Sequence, residues 1–170
     1  LRALRDPDVK GIKNIEQDDL VTRVRRGLFF SLTRAQKRVT AEIFRDMEDD
    51  RPMNRLIQGD VGSGKTIVAA LAMAKAVSSG NQAALMAPTE ILAMQHFETL
   101  KKVYPPEIRL DILTGSTSPK RKEEILSGTA GGEIKILVGT HALIQESVVF
   151  NRLSLAVIDE QHRFGVSQRA

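Results

Sequence analysis

The feature that most constrains this chain is a glycine-rich stretch, Gly59 to Thr66, which reads GDVGSGKT and lies between two apolar runs. The run before it, near residues 55–58, is typical of a short strand, and the run after it is typical of a helix that continues to Val77. Flexible residues between two buried segments indicate a main chain that must curl tightly at that point. The pattern therefore predicts a strand, a loop that exposes backbone N–H groups, and a helix.

A loop of this kind is suited to hold a polyphosphate. Residues without a Cβ atom let the main chain approach the anion closely, and the helix that follows points its free N–H groups and positive dipole end at the same anion. We predict that Lys65 reaches the β and γ phosphate oxygens and that the Thr66 hydroxyl is a Mg²⁺ ligand. The predicted nucleotide-binding residues of the loop are Gly59, Gly62, Ser63, Gly64, Lys65 and Thr66.

A second apolar run ends in two carboxylates, Asp159 and Glu160. At the end of a neighbouring strand, Asp159 is expected to hold Mg²⁺ through water, and Glu160 to orient and deprotonate an attacking water. With Lys65 they form the predicted catalytic set, and Thr66 and Asp159 form the predicted metal site. Taken alone, the pair is also compatible with a solvent-facing acidic turn.

Short apolar runs alternate with helical patterns along the chain. Alternation of this kind predicts right-handed βαβ units and an open parallel sheet with helices on both faces, an α/β fold of the P-loop NTPase type. The predicted strands lie near residues 55–58, 83–87, 108–113, 134–139 and 155–159. The predicted helices run from residue 33 to the break at residues 49–52, and over 65–77, 89–102 and 118–126, with Gly128 just past the last end.

The composition narrows the class of protein. The chain has 170 residues, 42% of them hydrophobic and 27% charged, which suits a single soluble domain. Its longest apolar run, residues 67–74, is far shorter than the roughly 18 residues needed to cross a bilayer, so we predict no membrane segment. The sequence contains no cysteine, which excludes disulfides and thiolate metal sites and is consistent with an intracellular compartment.

The positive charge is concentrated at the N-terminal end. Residues 1–40 hold ten Lys and Arg against five Asp and Glu, whereas residues 41–170 hold fifteen against sixteen. The basic groups cluster at residues 21–26 and 33–38. Such a patch suits a phosphate backbone, but it is equally typical of a solvated helix face.

Several motifs then occur together in one order. The tetrad DEQH at residues 159–162, followed by RFGV, resembles the superfamily 2 helicases, and among them the bacterial translocases that act on branched DNA. The other segments that resemble this family's motifs are FSLTRAQKRV (30–39), GDVGSGKT (59–66), MAPTEILAMQH (86–96), LTGS (113–116) and VGTHALIQ (138–145). The resemblance implies that residues 30–170 are a first RecA-like motor domain, incomplete at its C-terminus, and that residues 1–29 are a connecting segment.

The resemblance also implies roles for individual residues. Gln36 would recognise the adenine of ATP, and Gln161 and His162 would couple the nucleotide state to DNA. The residues implied to contact DNA phosphates are Pro88, Thr89, Gly115, Gly139 and Thr140. Without the resemblance, each of these is equally typical of a helix cap, a turn or an exposed side chain. The three histidines, at positions 96, 141 and 162, do not form a plausible metal cluster.

The implied cofactors are ATP and Mg²⁺, and the implied partner is forked or branched DNA, bound without sequence preference. The family also has a second RecA-like domain and an upstream wedge domain, and it works in the bacterial cytoplasm with the nucleoid. The isolated chain is expected to hydrolyse ATP negligibly, because the second domain supplies a cationic group to the ATP site.

Two other hypotheses stay open at this stage. One is the motor of the translocase that removes stalled RNA polymerase, whose tetrad is DEEQ rather than DEQH. The other is a P-loop nucleotide switch that does not act on DNA, and such a switch would not need the DNA-facing residues.

Overall fold

The computed structural model describes residues 10–28, 31–55 and 64–159, and these ranges contain five helices and four strands. The helices are α1 (Leu20–Arg26), α2 (Arg34–Met47), α3 (Lys65–Ser78), α4 (Glu90–Val103) and α5 (Pro119–Ala130). The strands are β1 (Gln82–Met86), β2 (Leu110–Leu113), β3 (Ile136–Gly139) and β4 (Leu153–Ile158), with a 3₁₀ turn at His141–Ile144. Of the strand predicted near residues 55–58, only Arg55 belongs to the described residues.

The four strands form one parallel sheet in the order β2-β3-β1-β4. Ile136 and Val138 face a core shared with α3 and α4, whereas Leu137 faces a smaller core beneath α5. The chain crosses the sheet in one direction from β1 to β2 and in the opposite direction from β2 to β3. Because both crossovers are right-handed, their helices α4 and α5 lie on opposite faces of the sheet. The predicted α/β class and the open parallel sheet are confirmed.

Helix α3 lies at the centre of the molecule. Eleven of its 14 residues are buried, and it packs against β1 and β4 on one side and against α1 and α2 on the other. The helix ends at Ser78, one residue after the predicted Val77, and Gly80 follows it with φ 83°. Asn81 N–H donates to the Ala76 carbonyl at 3.1 Å and Gly80 N–H donates to the Val77 carbonyl at 3.0 Å, so the chain turns directly from α3 into β1.

Residues 10–28 pack against this centre, and they contain a helix that the sequence analysis did not predict. Helix α1 buries Leu20, Val21 and Val24 and contacts α3. Three apolar residues within two turns are too few to show a clear helical period, which is why α1 was missed. The boundary between a connecting segment and the motor domain, placed at residues 29 and 30, stays a prediction.

A buried lysine ties the N-terminal segment to the helices. The Lys75 side chain is 2% exposed, and its ammonium group lies 2.8 Å from Glu48 Oε1 and 3.4 Å from Glu16 Oε1. It also lies 4.9 Å from the centre of the Phe44 ring. A buried charge is costly unless it is paired. These contacts therefore join the segment before α1 to helices α2 and α3.

Helix α5 is longer than predicted. The sequence analysis ended it near Leu126 and read Gly128 as a residue past its end, but the helix continues to Ala130. Gly128 is buried within the helix, and a Cβ atom there would lie 3.0 Å from Ile134 Cδ1. The prediction was wrong because this glycine allows close packing against the segment before β3 and does not terminate the helix.

Two ion pairs fix the first turns of α5. Arg121 lies 2.5 Å from Asp111 on β2 and 2.9 Å from Glu124 within the helix. The hydrogen bond to Glu124, followed by the charge of Asp111, raises the pKa of the Arg121 guanidinium above its usual value. The start of α5 is thereby held against the sheet.

In the described ranges, no helix is both long and apolar enough to cross a membrane.

We expect Gly139→Ala to destabilise the fold, because a Cβ there would overlap the Leu113 carbonyl oxygen on the neighbouring strand and lie 2.8 Å from Leu143 Cδ2. The free energy of unfolding in urea should fall by about 1–3 kcal/mol. Gly115→Ala is the matched control, since its Cβ would meet its nearest atom, Glu90 Oε1, at 3.5 Å. Equal stability of the two variants would contradict the close approach of β2 and β3.

Candidate functional site

The carboxyl ends of the four parallel strands share one edge of the sheet, and the predicted site residues follow these ends. Thr140 directly follows β3, and Asp159 directly follows β4. Thr89 lies three residues after the end of β1, and Gly115 lies two residues after the end of β2. The strand order places them along the edge as Gly115, Thr140, Thr89 and Asp159. The structure thus brings Asp159 of the predicted nucleotide set and Thr89, Gly115 and Thr140 of the predicted DNA set to one edge, as expected for parallel sheets.

Helix α3 begins at the same edge. It is connected to β1 by a tight turn and runs back along the sheet, so its 14 residues, about 21 Å long, carry its N-terminus to the carboxyl ends of the strands. Gly64 caps this helix, and Lys65 and Thr66 are its first two residues. The free N–H groups and positive end of α3 therefore lie where the sequence predicts a phosphate.

Gln36 lies against the last glycine of the loop. Gly64 has φ 82°, and a Cβ atom there would overlap Gln36 Nε2. The Gln36 side chain also accepts a bond from Thr33 N–H at 2.9 Å, while the Thr33 hydroxyl accepts from Gln36 N–H at 3.1 Å, a capping box that starts α2. The predicted adenine-recognition residue and the predicted phosphate loop, far apart in sequence, are thus in contact.

Asp159 is held at the end of β4 by its main chain and its side chain. Its N–H donates to the Met86 carbonyl at 2.8 Å. Its carboxylate, 15% exposed, lies 2.6 Å from Nε2 of His96 on α4, which is 13% exposed. A carboxylate accepts, so the imidazole N–H donates this bond.

Six predicted site residues lie outside the described residues. They are Gly59, Gly62 and Ser63 of the loop and Glu160, Gln161 and His162 after β4.

The predicted metal ligands have the chemistry that Mg²⁺ prefers. Thr66 and Asp159 offer a hydroxyl and a carboxylate oxygen. Within residues 10–28, 31–55 and 64–159, no group of three or more His, Cys, Asp or Glu is arranged to hold a metal. Mg²⁺ keeps several waters and is bound through one or two carboxylates together with substrate phosphates, so this sparse donor set fits it.

The residues predicted to contact DNA are held by helix caps and by the bonds of one carboxylate. Thr89 caps α4 by accepting from Leu92 N–H at 3.2 Å. The next residue, Glu90, accepts from Ser116 N–H at 3.2 Å and from the Ser116 hydroxyl at 2.6 Å. These bonds join the start of α4 to the turn that contains Gly115.

A cleft of about 370 Å³ lies beside this turn. It is lined by residues from the end of β2, the first turns of α5 and the 3₁₀ turn, among them Gly115, Lys122 and Gln145. Lys122 Nζ lies 3.1 Å from Gln145 Oε1. Thr140 caps the 3₁₀ turn by accepting from Ala142 N–H at 3.4 Å. The cleft adds a cation that the sequence analysis did not assign to the site.

The two basic segments of the sequence meet in the structure. Arg25 and Arg26 of α1 and Lys37 of α2 line one cavity of about 770 Å³, whereas Arg23 pairs with Glu107. The pKa of Glu107 is lowered, mainly by a hydrogen bond from its own main-chain N–H and in addition by the hydrogen bond from Arg23. The basic groups are thus concentrated on the α1–α2 side of the molecule.

Sequence reasoning assigned no role to His96 or Glu90, although both lie in the motif segment 86–96. His96 is three residues after Ala93 and four before Leu100, both fully buried, so it lies on the inner face of α4. A polar residue on an apolar helix face is a signal that could have been used. Glu90 carries no comparable signal, since an acidic residue in the first turn is ordinary in any helix.

Comparison with known proteins identifies the family. The profile of the DEAD/DEAH box helicases matches residues 33–170. The chain belongs to this family. The resemblance to superfamily 2 helicases predicted from the motifs is confirmed.

Many relatives of this chain share one description, "ATP-dependent DNA helicase RecG". The chain is 57% identical over 149 residues to the RecG of Streptococcus pneumoniae, a match that covers 88% of this chain and 22% of that protein. It is 52% identical over 169 residues to the RecG of Bacillus subtilis, covering 99% of this chain and 25% of that protein. The chain thus spans about a quarter of the length of these curated relatives.

Two solved structures share the fold of this chain. A structure of RecG bound to a three-way DNA junction superposes with a TM-score of 0.85 at 47% identity, covering 94% of this chain and 22% of that one. The yeast DEAD-box splicing factor Prp28 superposes with a TM-score of 0.62 at 22% identity, covering 88% of this chain and 38% of that one, a likeness of fold. The predicted RecA-like fold is confirmed.

We expect Thr89→Ala to lower the free energy of unfolding by about 1 kcal/mol, because it removes the oxygen that accepts from Leu92 N–H at the start of α4. Thr89→Ser keeps this oxygen and should stay close to the wild type. Urea unfolding of the three proteins measures the difference. A serine variant as unstable as the alanine variant would show that the lost methyl group, and not the cap, is responsible.

Proposed function

We propose that the chain is the ATP-binding first motor domain of a DNA helicase or translocase that couples ATP hydrolysis to the remodelling of branched DNA, such as stalled forks and Holliday junctions. The observation that carries this proposal is the shared edge, where the start of α3 and Asp159 lie beside Thr89, Gly115 and Thr140. The description of the relatives and the junction bound to one solved RecG support the DNA partner.

At the nucleotide end of the edge, the N–H groups of the first turn of α3 would bind phosphate oxygens, and Lys65 would reach the terminal ones. Thr66 and Asp159 would hold Mg²⁺, which supplies charge to the phosphates when it is bound. Glu160 would take the proton of the attacking water. Gln36, beside Gly64, would lie close enough to the phosphate loop to contact the base of the same nucleotide.

At the other end of the edge, helix caps, turn glycines and Lys122 would contact the DNA backbone. Contacts of this kind recognise phosphates and leave the bases unread, so binding would be independent of sequence. The basic groups around Arg25, Arg26 and Lys37 line a separate cavity and would add only non-specific attraction.

The full activity would need parts beyond this chain. We propose that a second RecA-like domain supplies the cation that completes the ATP site and that an upstream wedge domain engages the branch point. A protein of this kind would work in the bacterial cytoplasm, associated with the nucleoid. The stalled-polymerase translocase and the nucleotide switch are the alternatives that the experiments below separate.

The first experiment is a titration of the chain with a fluorescent ADP and Mg²⁺. Lys65→Ala should weaken binding about tenfold or more, since a charge-assisted hydrogen bond is worth about 1.5–3 kcal/mol. Lys102→Ala, which removes an exposed lysine from the last turn of α4, is the control for charge alone. Unlabelled ATP should compete better than GTP, and Gln36→Ala should reduce this preference.

Equal binding by the Lys65 and Lys102 variants would contradict the phosphate role of the loop. Equal competition by ATP and GTP in the wild type would contradict the adenine role of Gln36.

The second experiment measures ATP turnover. Residues 1–170 alone should show negligible turnover with or without DNA, whereas the longer protein should be stimulated by branched DNA. In the longer protein, Lys122→Ala should weaken DNA binding and its dependence on salt, since each phosphate contact releases counterions. Lys120→Ala, an exposed lysine one position after the start of α5, is the matched control.

Robust DNA-stimulated turnover by residues 1–170 alone would contradict the need for a second domain. A longer protein that hydrolyses ATP equally with and without DNA would favour the switch. Binding of RNA polymerase in preference to branched DNA would favour the stalled-polymerase translocase.

A further inference from the structure

We propose that His96 is a positioning residue: it orients the Asp159 carboxylate and links the movement of α4, at the DNA end of the edge, to the metal site. This inference rests on the proposed function, because it assigns the metal to Asp159 and the DNA to the start of α4. His96 is the last residue of the motif segment 86–96, and the resemblance gives it no role.

The contact itself is short and shielded from solvent. His96 Nε2 lies 2.6 Å from Asp159 Oδ2, and the two side chains are 13% and 15% exposed. Hydrogen bonds to a carboxylate are stronger than neutral ones, and low exposure strengthens them further. The pair is therefore a firm connection between two segments 63 residues apart in sequence.

The main chain does not determine where the Asp159 carboxylate points. The bond from Asp159 N–H to the Met86 carbonyl fixes the end of β4, whereas the direction of the carboxylate depends on the contacts of its own oxygens, and the bond from His96 Nε2 is one of them. A hydrogen bond to Oδ2 restricts the rotation of the side chain. Carboxylates that ligate metals are commonly held in this way by a second residue, and a carboxylate has enough acceptor sites for a metal and an imidazole together.

The position of His96 on α4 provides the link to DNA. Thr89, which caps α4, precedes His96 by seven residues, so about 10 Å of rigid helix separates them. Glu90 clamps the same helix end to Ser116, beside Gly115. A displacement of the helix start by a bound phosphate would therefore move the imidazole and, through it, the carboxylate.

The experiment compares three substitutions in the longer protein. In His96→Gln, the amide nitrogen reaches about as far as Nε2 and can still donate, whereas His96→Asn is one methylene shorter and does not reach Oδ2. His96→Leu has a similar size and cannot donate. Glu98→Ala, an exposed residue two positions further along α4, is the control for changes to this helix.

The first readout is the gain in affinity for a fluorescent ADP on addition of Mg²⁺. We expect His96→Leu and His96→Asn to reduce this gain about tenfold or more, as found for residues that support metal ligands, and His96→Gln to recover most of it. The second readout is the ratio of kcat with branched DNA to kcat without DNA. This ratio should fall in His96→Leu and His96→Asn and stay close to the wild-type value in His96→Gln. Urea unfolding measures any loss of stability.

Each outcome decides the proposal. A Mg²⁺ gain that is equal in His96→Gln and His96→Asn overturns the positioning role, and it does so even if His96→Leu fails to fold. If a variant loses the Mg²⁺-dependent gain in ADP affinity but keeps the wild-type ratio of kcat with and without DNA, the link through α4 is overturned. If the wild-type longer protein shows no stimulation by DNA, the proposed function fails, and the Mg²⁺ comparison of the glutamine and asparagine variants still tests the orientation of Asp159.

Discussion

The structure depends on the burial of helix α3 between the sheet and the layer formed by α1 and α2. Eleven of its 14 residues are buried, so the helix can neither slide nor rotate without exposing a large part of the core. The turn at Gly80 fixes its end against the start of β1. Because that end is fixed, the start of α3 must lie at the carboxyl edge of the sheet, beside Asp159.

The buried position of α3 also places two different groups of side chains at the two ends of the sheet's carboxyl edge. The end occupied by α3 and β4 combines a helix dipole, a lysine and a carboxylate, the groups that suit a highly charged phosphate and its metal. The end formed after β2 and β3 offers main-chain groups, hydroxyls and Lys122. Strand β1 lies between β3 and β4, and the helix that follows it, α4, contacts both ends.

Much of this arrangement could be predicted because the signals are local. The cap at Thr33, the turn at Gly80 and the four described strands follow from residues that are neighbours in sequence. Helix α1 was missed because its apolar residues are few, and the end of α5 was misplaced because Gly128 serves packing. The pairing of His96 with Asp159 and of Glu90 with Ser116 depends on the tertiary fold, so no local pattern could predict it.

The segment before α1 has a mechanical consequence. Its N–H groups bond to carbonyls near the ends of α2 and α3, and the pairs are Gly11 with Asp50, Asn14 with Met47, and Gln17 with Ser78. Asn14 is also bonded to Asn81 and to Ser154 of β4, and Lys75 adds ionic contacts. A tension applied along residues 10–17 would thus be shared among several bonds and passed to α2, α3 and β4. Because these bonds act in parallel, a pull on residues 10–17 would have to break several of them before it could separate the segment from α2, α3 and β4.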